Sequence, residues 1–417
     1  MKKSSLRTLK ERFEISQLEQ NNTFSQVLKR KRLEKKRTLE ELAQGICSPS
    51  YLSKIENAIV KVDDSYYQLL FEKLEIPFED MKKERDKNLF QNLIRNYLLN
   101  NKSEIETIVN RTINMDLYCE TEIELIVLFN NIIQGSYEEA KILINKIEDI
   151  RKTLTNKELV FFVFSTTLYC YKTNQSKRAY NQAHVLIEID YDDKILQAAV
   201  YDLAADIFYV IGDYPYFYQI LFLLQQFNPA VFGKRLVHHK LQQLVLKSKK
   251  NFNKAIIELE NELIHLNPYD GEQLEDYYFY LGCAYYYGKK YDKILELIYF
   301  QPMSARIIAL ITCALDRIND MKKALEYFEI ISKFTFTKYD TVFFNHVEYV
   351  RQKYEQYEYS RLMAFTKNVI FPAQKKYRHD FFFQIELQNF LDLGYNMGRY
   401  KDTLKKFNDH FDDDEGN

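Results

Sequence analysis

A short turn signature recurs at a near-constant interval through most of this 417-residue chain. A small or polar residue is followed two positions later by an aromatic residue or a substitute, and three positions after that by alanine or a substitute. The closing positions of eight such stretches are 39, 38, 38, 39, 30, 36 and 43 residues apart. They are Ala140, Ala179, Phe217, Ala255, Ile294, Ala324, Ser360 and Thr403. This periodicity predicts repeated helix pairs, each of which buries its apolar faces only by stacking on its neighbours.

The composition agrees with a helical chain. Only 10 Gly and 7 Pro are present, fewer turn residues than a sheet-based fold of this length needs. Hydrophobic residues make up 46% and charged residues 28%, which excludes a disordered chain. No run of about 18 apolar residues occurs, and the N-terminus lacks the apolar segment of a secretion signal. We therefore expect a cytoplasmic protein with no membrane partner.

Charge is distributed unevenly between the N-terminus and the remainder. Residues 1–37 hold twelve Lys and Arg against four Glu, a net charge of +8 within a chain whose total is −1, so the rest carries −9. A basic N-terminal segment joined to an acidic remainder is typical of a polyanion-binding module attached to another domain. A solvated basic tail would give the same distribution of charge.

The basic head contains the signals of closely spaced short helices. Thr38, with Glu41 three residues later, forms a capping box at the start of one helix. Ser48 is placed as the N-cap of the next helix, with Pro49 in its first turn. A further helix over residues 65–76 is expected to close the core with Tyr66, Leu69, Leu70 and Leu74.

These residues resemble the Xre/Cro type of helix-turn-helix, chiefly through the run from Ser50 to Asn57 and the preceding Leu42-Ala43 pair. The resemblance implies that the helix beginning at Pro49 reads DNA bases, with Ser50 and Lys54 as the main readers and Tyr51 nearby. Thr38 and basic residues of the first helix would hold phosphates. The expected DNA-binding residues are Arg30, Arg37, Thr38, Pro49, Ser50, Tyr51 and Lys54.

The repeated region resembles tetratricopeptide repeats, most closely at Leu281-Gly282 with Tyr285 and the following Tyr291 and Ile294. The predicted fold is all-α: an N-terminal five-helix Xre/Cro-type helix-turn-helix domain followed by a right-handed tetratricopeptide-like superhelix. The predicted divisions are an N-terminal extension (1–22), the helix-turn-helix domain (23–80), a linker helix (81–100), the repeat domain (101–410) and an acidic tail (411–417).

Aligning the repeats on their turns predicts which side chains line a concave groove. The set mixes charged, amide and aromatic groups, which suits an extended peptide because amides pair with its backbone and aromatic rings receive its side chains. A merely solvated inner surface would carry a similar mixture. The predicted groove residues are Asp202, Asp206, Tyr209, Lys240, Asp276, Phe279, Tyr286, Arg306, Asn345, Tyr349 and Gln388.

The combination of the two parts resembles the RRNPP family of Gram-positive quorum-sensing regulators. That resemblance implies a homodimeric transcription factor controlled by a short imported signalling peptide, with Asn345 matching the groove asparagines that hold peptide backbone. Peptide binding would change the separation of the two DNA-reading heads. Two alternatives remain open: a Rap-like regulator that acts on a partner protein, and a phage or plasmid regulator of lysogeny or conjugation.

No sequence pattern points to catalysis or to a cofactor. The phosphate-loop, dinucleotide, nucleophile-elbow and HExxH metal-binding patterns are absent from the sequence, so we expect no enzyme and no cofactor. The five Cys have no ligand spacing, and the adjacent pair His238-His239 has no neighbouring Cys or carboxylate cluster in the sequence, so we expect no metal site.

Overall fold

The computed structural model describes most of the chain, and every structural statement below concerns these residues. They are residues 23–57, 59–60, 62–78, 89–113, 120–151, 154–189, 191, 193–227, 229–262, 271–299, 303–355, 358–401 and 403–405. Within them the regular structure is helical and no β-strand occurs, which confirms the all-α prediction. None of the helices there combines the length and apolar character that crossing a bilayer requires. The N-terminal extension, the acidic tail and residues 79–88 lie outside the described part.

The helices of the first part of the chain are short at the start and lengthen afterwards. They are α1 (Thr23–Glu34), α2 (Leu39–Ala43), α3 (Pro49–Glu56), α4 (Asp64–Lys73), α5 (Leu89–Leu98), α6 (Lys102–Ile113), α7 (Glu120–Gln134), α8 (Tyr137–Ile150), α9 (Asn156–Lys172), α10 (Ser176–Ile187) and α11 (Lys194–Ile211).

The later helices continue the same pattern and include two 3-10 segments, Glu296–Tyr299 and Lys338–Asp340, and a π segment, Thr366–Ile370. They are α12 (Tyr214–Leu224), α13 (Pro229–Ser248), α14 (Phe252–Glu262), α15 (Gly271–Tyr287), α16 (Tyr291–Leu295), α17 (Ala305–Ile318), α18 (Met321–Ile331), α19 (Thr341–Glu355), α20 (Tyr359–Phe365), α21 (Phe371–Tyr377) and α22 (Asp380–Asn396).

The chain forms two compact units. The first unit consists of Met1–Tyr169 with Gln182–Val200, and the second of Cys170–Asn181 with Tyr201–Asn417. Helices α9, α10 and α11 each contribute residues to both units. The predicted boundary between residues 80 and 81 falls outside the described part and stays a prediction.

The predicted turns coincide with sharp ends of helices. At six of them the first residue of the signature has a positive φ, as in Gly135 at 80° and Asn319 at 55°. The residue that follows such a turn bonds back to the helix it has left: the N–H of Asp213 donates to the carbonyl of Phe208 at 2.9 Å. This is the bond of a Schellman cap, which ends a helix with one left-handed residue. The six residues with positive φ are Gly135, Asn174, Gly212, Lys289, Asn319 and Gly398.

The next helix starts at the signature's aromatic position in every one of the first six repeats, for example at Tyr137 and Tyr214. The closing position, three residues later, is buried: Ala140, Ala179 and Phe217 each have 0% of their surface exposed. The turn therefore fixes the phase of the second helix, which places the same signature position in the core in each of these six repeats, whereas Ser360 of the seventh stretch is exposed. This confirms the repeated helix pairs.

Small residues allow the close helix approach that the repeat pattern predicts. A Cβ added at Gly282 of α15 would lie 2.5 Å from a methyl carbon of Leu310 and 2.9 Å from one of Leu297. A larger residue at this position would require the methyl ends of Leu310 and Leu297 to shift.

The helix-turn-helix region has its own apolar core. Leu28 of α1, Leu52 and Ile55 of α3, and Leu70 and Phe71 of α4 are all fully buried in it. Helices α1 to α4 form the described part of this domain, and the end of its expected fifth helix lies outside the described residues.

One sequence prediction about this region needs correction. The core side of α4 is formed by Tyr67, Leu70, Phe71 and Leu74, whereas Leu69 is 49% exposed. The error was one of helical phase, since Tyr67 and Phe71 continue the one-turn spacing of Leu70 and Leu74. In the predicted linker helix, the described part begins at Leu89, and its apolar residues are buried within the first unit.

Replacing Lys289 by glycine should stabilise the fold. Lys289 is an exposed lysine with a φ of 58°, a backbone conformation that costs an L-residue roughly 1–2 kcal/mol. Glycine removes that strain but loses more chain entropy, so we expect Lys289→Gly to raise the free energy of unfolding in urea by about 0.5–1 kcal/mol. Lys289→Ala keeps the Cβ and serves as the control, with no comparable gain. Equal stability of the two variants would contradict the strain argument.

Candidate functional site

Helix α3 is capped by the residues that the sequence predicts. The hydroxyl oxygen of Ser48 accepts the backbone N–H of Tyr51 at 3.1 Å, and Pro49 occupies the first turn. Before it, Gly45 makes the tight turn with a φ of 79°. The Thr38 and Glu41 capping box is present at α2, with bonds of 3.1 and 2.8 Å. The predicted geometry of two short helices joined by a tight turn is therefore confirmed.

One side of α3 is buried and the other is available to a ligand. Leu52 and Ile55 have 0% exposure, whereas Pro49, Ser50 and Lys54 are exposed. Tyr51 differs from the prediction in being half-buried, because its ring packs edge-on against Tyr66 at 5.9 Å. It can present only part of its ring outward.

A buried ion pair fixes α3 against α1. Arg32 donates from Nε and Nη2 to the two carboxylate oxygens of Glu56 at 2.6 and 2.8 Å, and Glu56 is 3% exposed. The same guanidinium also donates to the backbone carbonyl of Arg37 at 2.9 Å. A two-pronged pair of this kind has a single geometry, so it sets the orientation of α3.

Arg30, predicted to contact DNA, is instead buried. It is 1% exposed, and its two terminal nitrogens lie 3.4 and 2.9 Å from the carboxylate oxygens of Glu158 in α9. Glu158 also forms a capping box with Thr155: its carboxylate accepts the N–H of Thr155 at 2.7 Å, and the Thr155 hydroxyl accepts the N–H of Glu158. The prediction for Arg30 is thus wrong for this conformation, since its charge is neutralised inside the first unit.

Arg37 and Thr38 remain at the surface, as the sequence predicts. They lie between α1 and α2, and the basic groups around them include the exposed Lys36. Of the predicted DNA-binding set, the exposed members are therefore Arg37, Thr38, Pro49, Ser50 and Lys54.

The residues from 28 to 81 match the family model described as Helix-turn-helix. This stretch is a helix-turn-helix domain. No curated protein sequence matches the chain. Among solved structures, the crystal structure of Bacillus thuringiensis PlcR in complex with the peptide PapR7 and DNA is 15% identical, with a TM-score of 0.33, and covers 67% of this chain and 100% of that one.

The predicted groove residues fall into three groups in the second unit. Five of them are buried, each with at most 7% of its surface exposed: Asp202, Asp206, Phe279, Asn345 and Tyr349. Four are partly exposed: Tyr209, Asp276, Tyr286 and Arg306. Two are exposed: Lys240 and Gln388.

Phe279 illustrates why the prediction of a solvent-lined groove is wrong for the buried members. Its ring contacts Phe381 and Phe382 of α22 at centroid distances of 6.4 Å and His379 at 5.9 Å. The C-terminal helix thus covers a position that the repeat pattern alone assigns to the groove. Asn345 and Tyr349, in α19, are likewise enclosed by the chain itself.

Asp276 and Arg306 form a partly exposed charged pair in the predicted groove. The guanidinium of Arg306 donates to Asp276 and, from Nε at 2.9 Å, to Glu275, while its carbon lies 4.9 Å from the centre of the Phe279 ring. Tyr286 accepts a hydrogen bond at 2.9 Å from Nε of Arg317. These contacts hold the side chains in fixed positions while each stays partly exposed.

Two histidines connect the buried aspartates with this accessible part. Nε2 of His238 lies 2.6 Å from Asp206 and its Nδ1 lies 2.9 Å from Asp276. Nε2 of His239 lies 2.9 Å from Asp202. Burial lowers the pKa of His238, but the charges of Asp206 and Asp276 outweigh it and raise the pKa to about 10. Its ring is therefore an imidazolium at neutral pH.

Removing the partner of Arg30 should destabilise the first unit. Glu158→Ala leaves a buried guanidinium without its carboxylate, and losing one member of a buried pair typically costs about 3–5 kcal/mol. Urea unfolding of the full chain should show a loss of that size. The double variant Arg30→Met with Glu158→Leu should recover much of it, because no buried charge is then left unpaired.

The exposed Arg37→Ala is the matched control and should change stability by less than about 0.5 kcal/mol. A Glu158→Ala variant as stable as wild type would show that the pair does not contribute as described.

Proposed function

We propose that this chain is a DNA-binding transcription regulator that reads bases with α3. The observation that carries the proposal is the exposure of Pro49, Ser50 and Lys54 on a helix whose opposite side is locked in the core and whose orientation is set by the Arg32–Glu56 pair. A rigid helix with polar side chains on its N-terminal and outer positions is what the second helix of a helix-turn-helix presents to the major groove.

Each exposed group has a defined task in this proposal. The Lys54 ammonium can donate to the O6 and N7 acceptors of guanine, and the Ser50 hydroxyl can donate or accept at either kind of base. Arg37 and the backbone near Thr38 would hold phosphates, which supply affinity but no sequence information. Because one such module reads few base pairs, we propose that the protein acts as a homodimer on two half-sites about one helical turn apart.

Replacing Lys54 by alanine should weaken specific DNA binding. The loss of a base contact typically costs about 1–3 kcal/mol, and fluorescence anisotropy with a duplex from the DNA upstream of the gene would measure it. Ser50→Ala should lower discrimination between that duplex and a scrambled one. The exposed Lys254→Ala, in α14, is the matched control of equal charge change and should leave the affinity unaltered.

Affinity for the wild-type chain should also fall steeply as the salt concentration rises, because bound phosphates release counterions. If Lys54→Ala and Lys254→Ala bind equally well, α3 does not read DNA as proposed.

We further propose that the second unit binds a short signalling peptide, which makes the regulator responsive to it. Support comes from four partly exposed residues, Tyr209, Asp276, Tyr286 and Arg306. The exposed Lys240 and Gln388 are further candidates. Carboxylate and guanidinium groups can bind the charged ends of a peptide, and tyrosines can pack on its side chains.

The peptide proposal is tested on the full chain with synthetic peptides that match the C-terminal ends of small open reading frames beside the gene. We expect one of them to bind and to change the affinity for the upstream duplex. Lys240→Ala should weaken that peptide about tenfold, or roughly 1.4 kcal/mol, without altering peptide-free DNA binding. Lys254→Ala is again the control.

If no peptide binds, or if one binds without changing DNA affinity, the regulatory part of the proposal fails while the DNA-binding part stands. If Lys240→Ala and Lys254→Ala behave alike toward the peptide, the groove is placed wrongly.

A further inference from the structure

We propose that Asp206, His238 and His239 form a binding site for one divalent transition-metal ion, with Zn²⁺ as the best match. One ligand atom from each residue lies within 4.8 Å of the other two. Oδ1 of Asp206 is 2.6 Å from Nε2 of His238 and 3.8 Å from Nδ1 of His239. Imidazole nitrogen and carboxylate oxygen are ligands that Zn²⁺ accepts at about 2.0–2.2 Å, so small side-chain shifts would bring all three onto one ion.

The surroundings of the two histidines are those of metal ligands. The ring nitrogen of His238 that points away from the site, Nδ1, lies 2.9 Å from a carboxylate oxygen of Asp276. The corresponding Nε2 of His239 lies 2.9 Å from Asp202. Histidines that bind metals almost always donate their second N–H to a carboxylate or carbonyl, which fixes the tautomer and raises the basicity of the ligand nitrogen. Here both histidines have that arrangement.

The side-chain amide of Gln242 lies where the ligand atoms converge. Its Nε2 is 2.7 Å from Asp206, 3.0 Å from the hydroxyl of Tyr280 and 3.1 Å from Nε2 of His238, and its Oε1 is 3.0 Å from Nδ1 of His239. An amide nitrogen has only two hydrogens for these three neighbours. If the two amide hydrogens are donated to Asp206 and Tyr280, none is left for His238. Nε2 of His238 itself donates to Asp206, so two donor nitrogens then face each other at 3.1 Å.

A bound cation would remove this conflict. The cation would replace the proton on Nε2 of His238. The lone pair of this nitrogen and a lone pair of the Asp206 carboxylate would then both point at the ion. The carbonyl oxygen of Gln242, already beside His239, is placed to become a fourth ligand. Four ligands are the usual number for Zn²⁺.

The carboxylates of the cluster can accept a cation in place of the His238 proton. Three carboxylates, those of Asp202, Asp206 and Asp276, surround two imidazole rings, and Asp202 is fully buried. Arg235, 3.7 Å from Asp202, Arg306 and the protonated ring of His238 balance these negative charges, so a bound ion takes the place of the His238 proton. Buried carboxylates require a positive partner, and a divalent ion supplies two charges at the point where the ligand atoms meet.

The test uses the full chain, stripped of metal with a chelator, and needs neither DNA nor peptide, so it stands apart from the proposed function. Titration with Zn²⁺ by calorimetry should give one ion per chain. Titration with Co²⁺ should produce the visible absorption of a low-symmetry nitrogen and oxygen site. Asp206→Asn should weaken Zn²⁺ at least tenfold, and Asp202→Asn, which removes the carboxylate that supports His239 and also pairs with Arg235, should weaken it about 10–100-fold.

Asp392→Asn, at an exposed carboxylate of α22, is the matched control and should bind Zn²⁺ like the wild type. Circular dichroism verifies that each variant is folded. Should the cluster variants not fold, the wild-type Co²⁺ spectrum decides, because sulfur-to-metal absorption would indicate cysteine ligands and overturn the proposal. Failure of the wild type to bind one ion, or equal binding by Asp206→Asn and Asp392→Asn, would also overturn it.

Discussion

The chain reversal between the two helices of each repeat is the constraint on which the repeat region depends. At six of the eight predicted turns, a single residue with a left-handed backbone ends the first helix, and the second begins two residues later. Because the turn has one geometry, it sets the rotation of the second helix about its axis, and Ala140 and Ala179 reach the core at equivalent positions. Lysine and asparagine occupy this position as well as glycine, so the conformation is imposed by the packing rather than by residue choice alone.

Arginine plays two roles around the helix-turn-helix. Arg30 and Arg32 lie in the basic stretch that suggests DNA binding, yet both are buried in two-pronged pairs with Glu158 and Glu56. Their planar guanidinium groups fit carboxylates well enough to position helices. The positive charge that remains for a polyanion among the described residues comes from side chains at the surface, such as Arg37 and Lys54. The net charge of a segment therefore overstates what it offers to DNA.

The sequence predicted local features well because their causes are local. Helix caps at Ser48 and Thr38 and the starts of the repeat helices follow from residues within one turn of each other. The groove was predicted less well, because the burial of Phe279 depends on α22, about 100 residues later, which no repeat alignment contains.

The cluster around His238 was missed for a related reason. Asp206 precedes it by 32 residues, one repeat earlier, so ligand spacing along the chain gave no signal. A comparison of equivalent faces on α11 and α13 could have paired them, since Asp202 and Asp206 are one turn apart on the face that meets the two histidines.

The carboxylate of Glu158 both pairs with Arg30 of α1 and caps the first turn of α9. This double use affects how the first unit opens. Fraying of the first turn of α9 would release Arg30, and loosening of α1 would expose the capping carboxylate of α9. The two helix ends are therefore expected to open together as one cooperative segment, with amide hydrogens near Thr155 and along α1 exchanging with solvent through a shared event. The helix-turn-helix and the first repeat helices would then share a common local stability, although more than 120 residues separate Arg30 from Glu158.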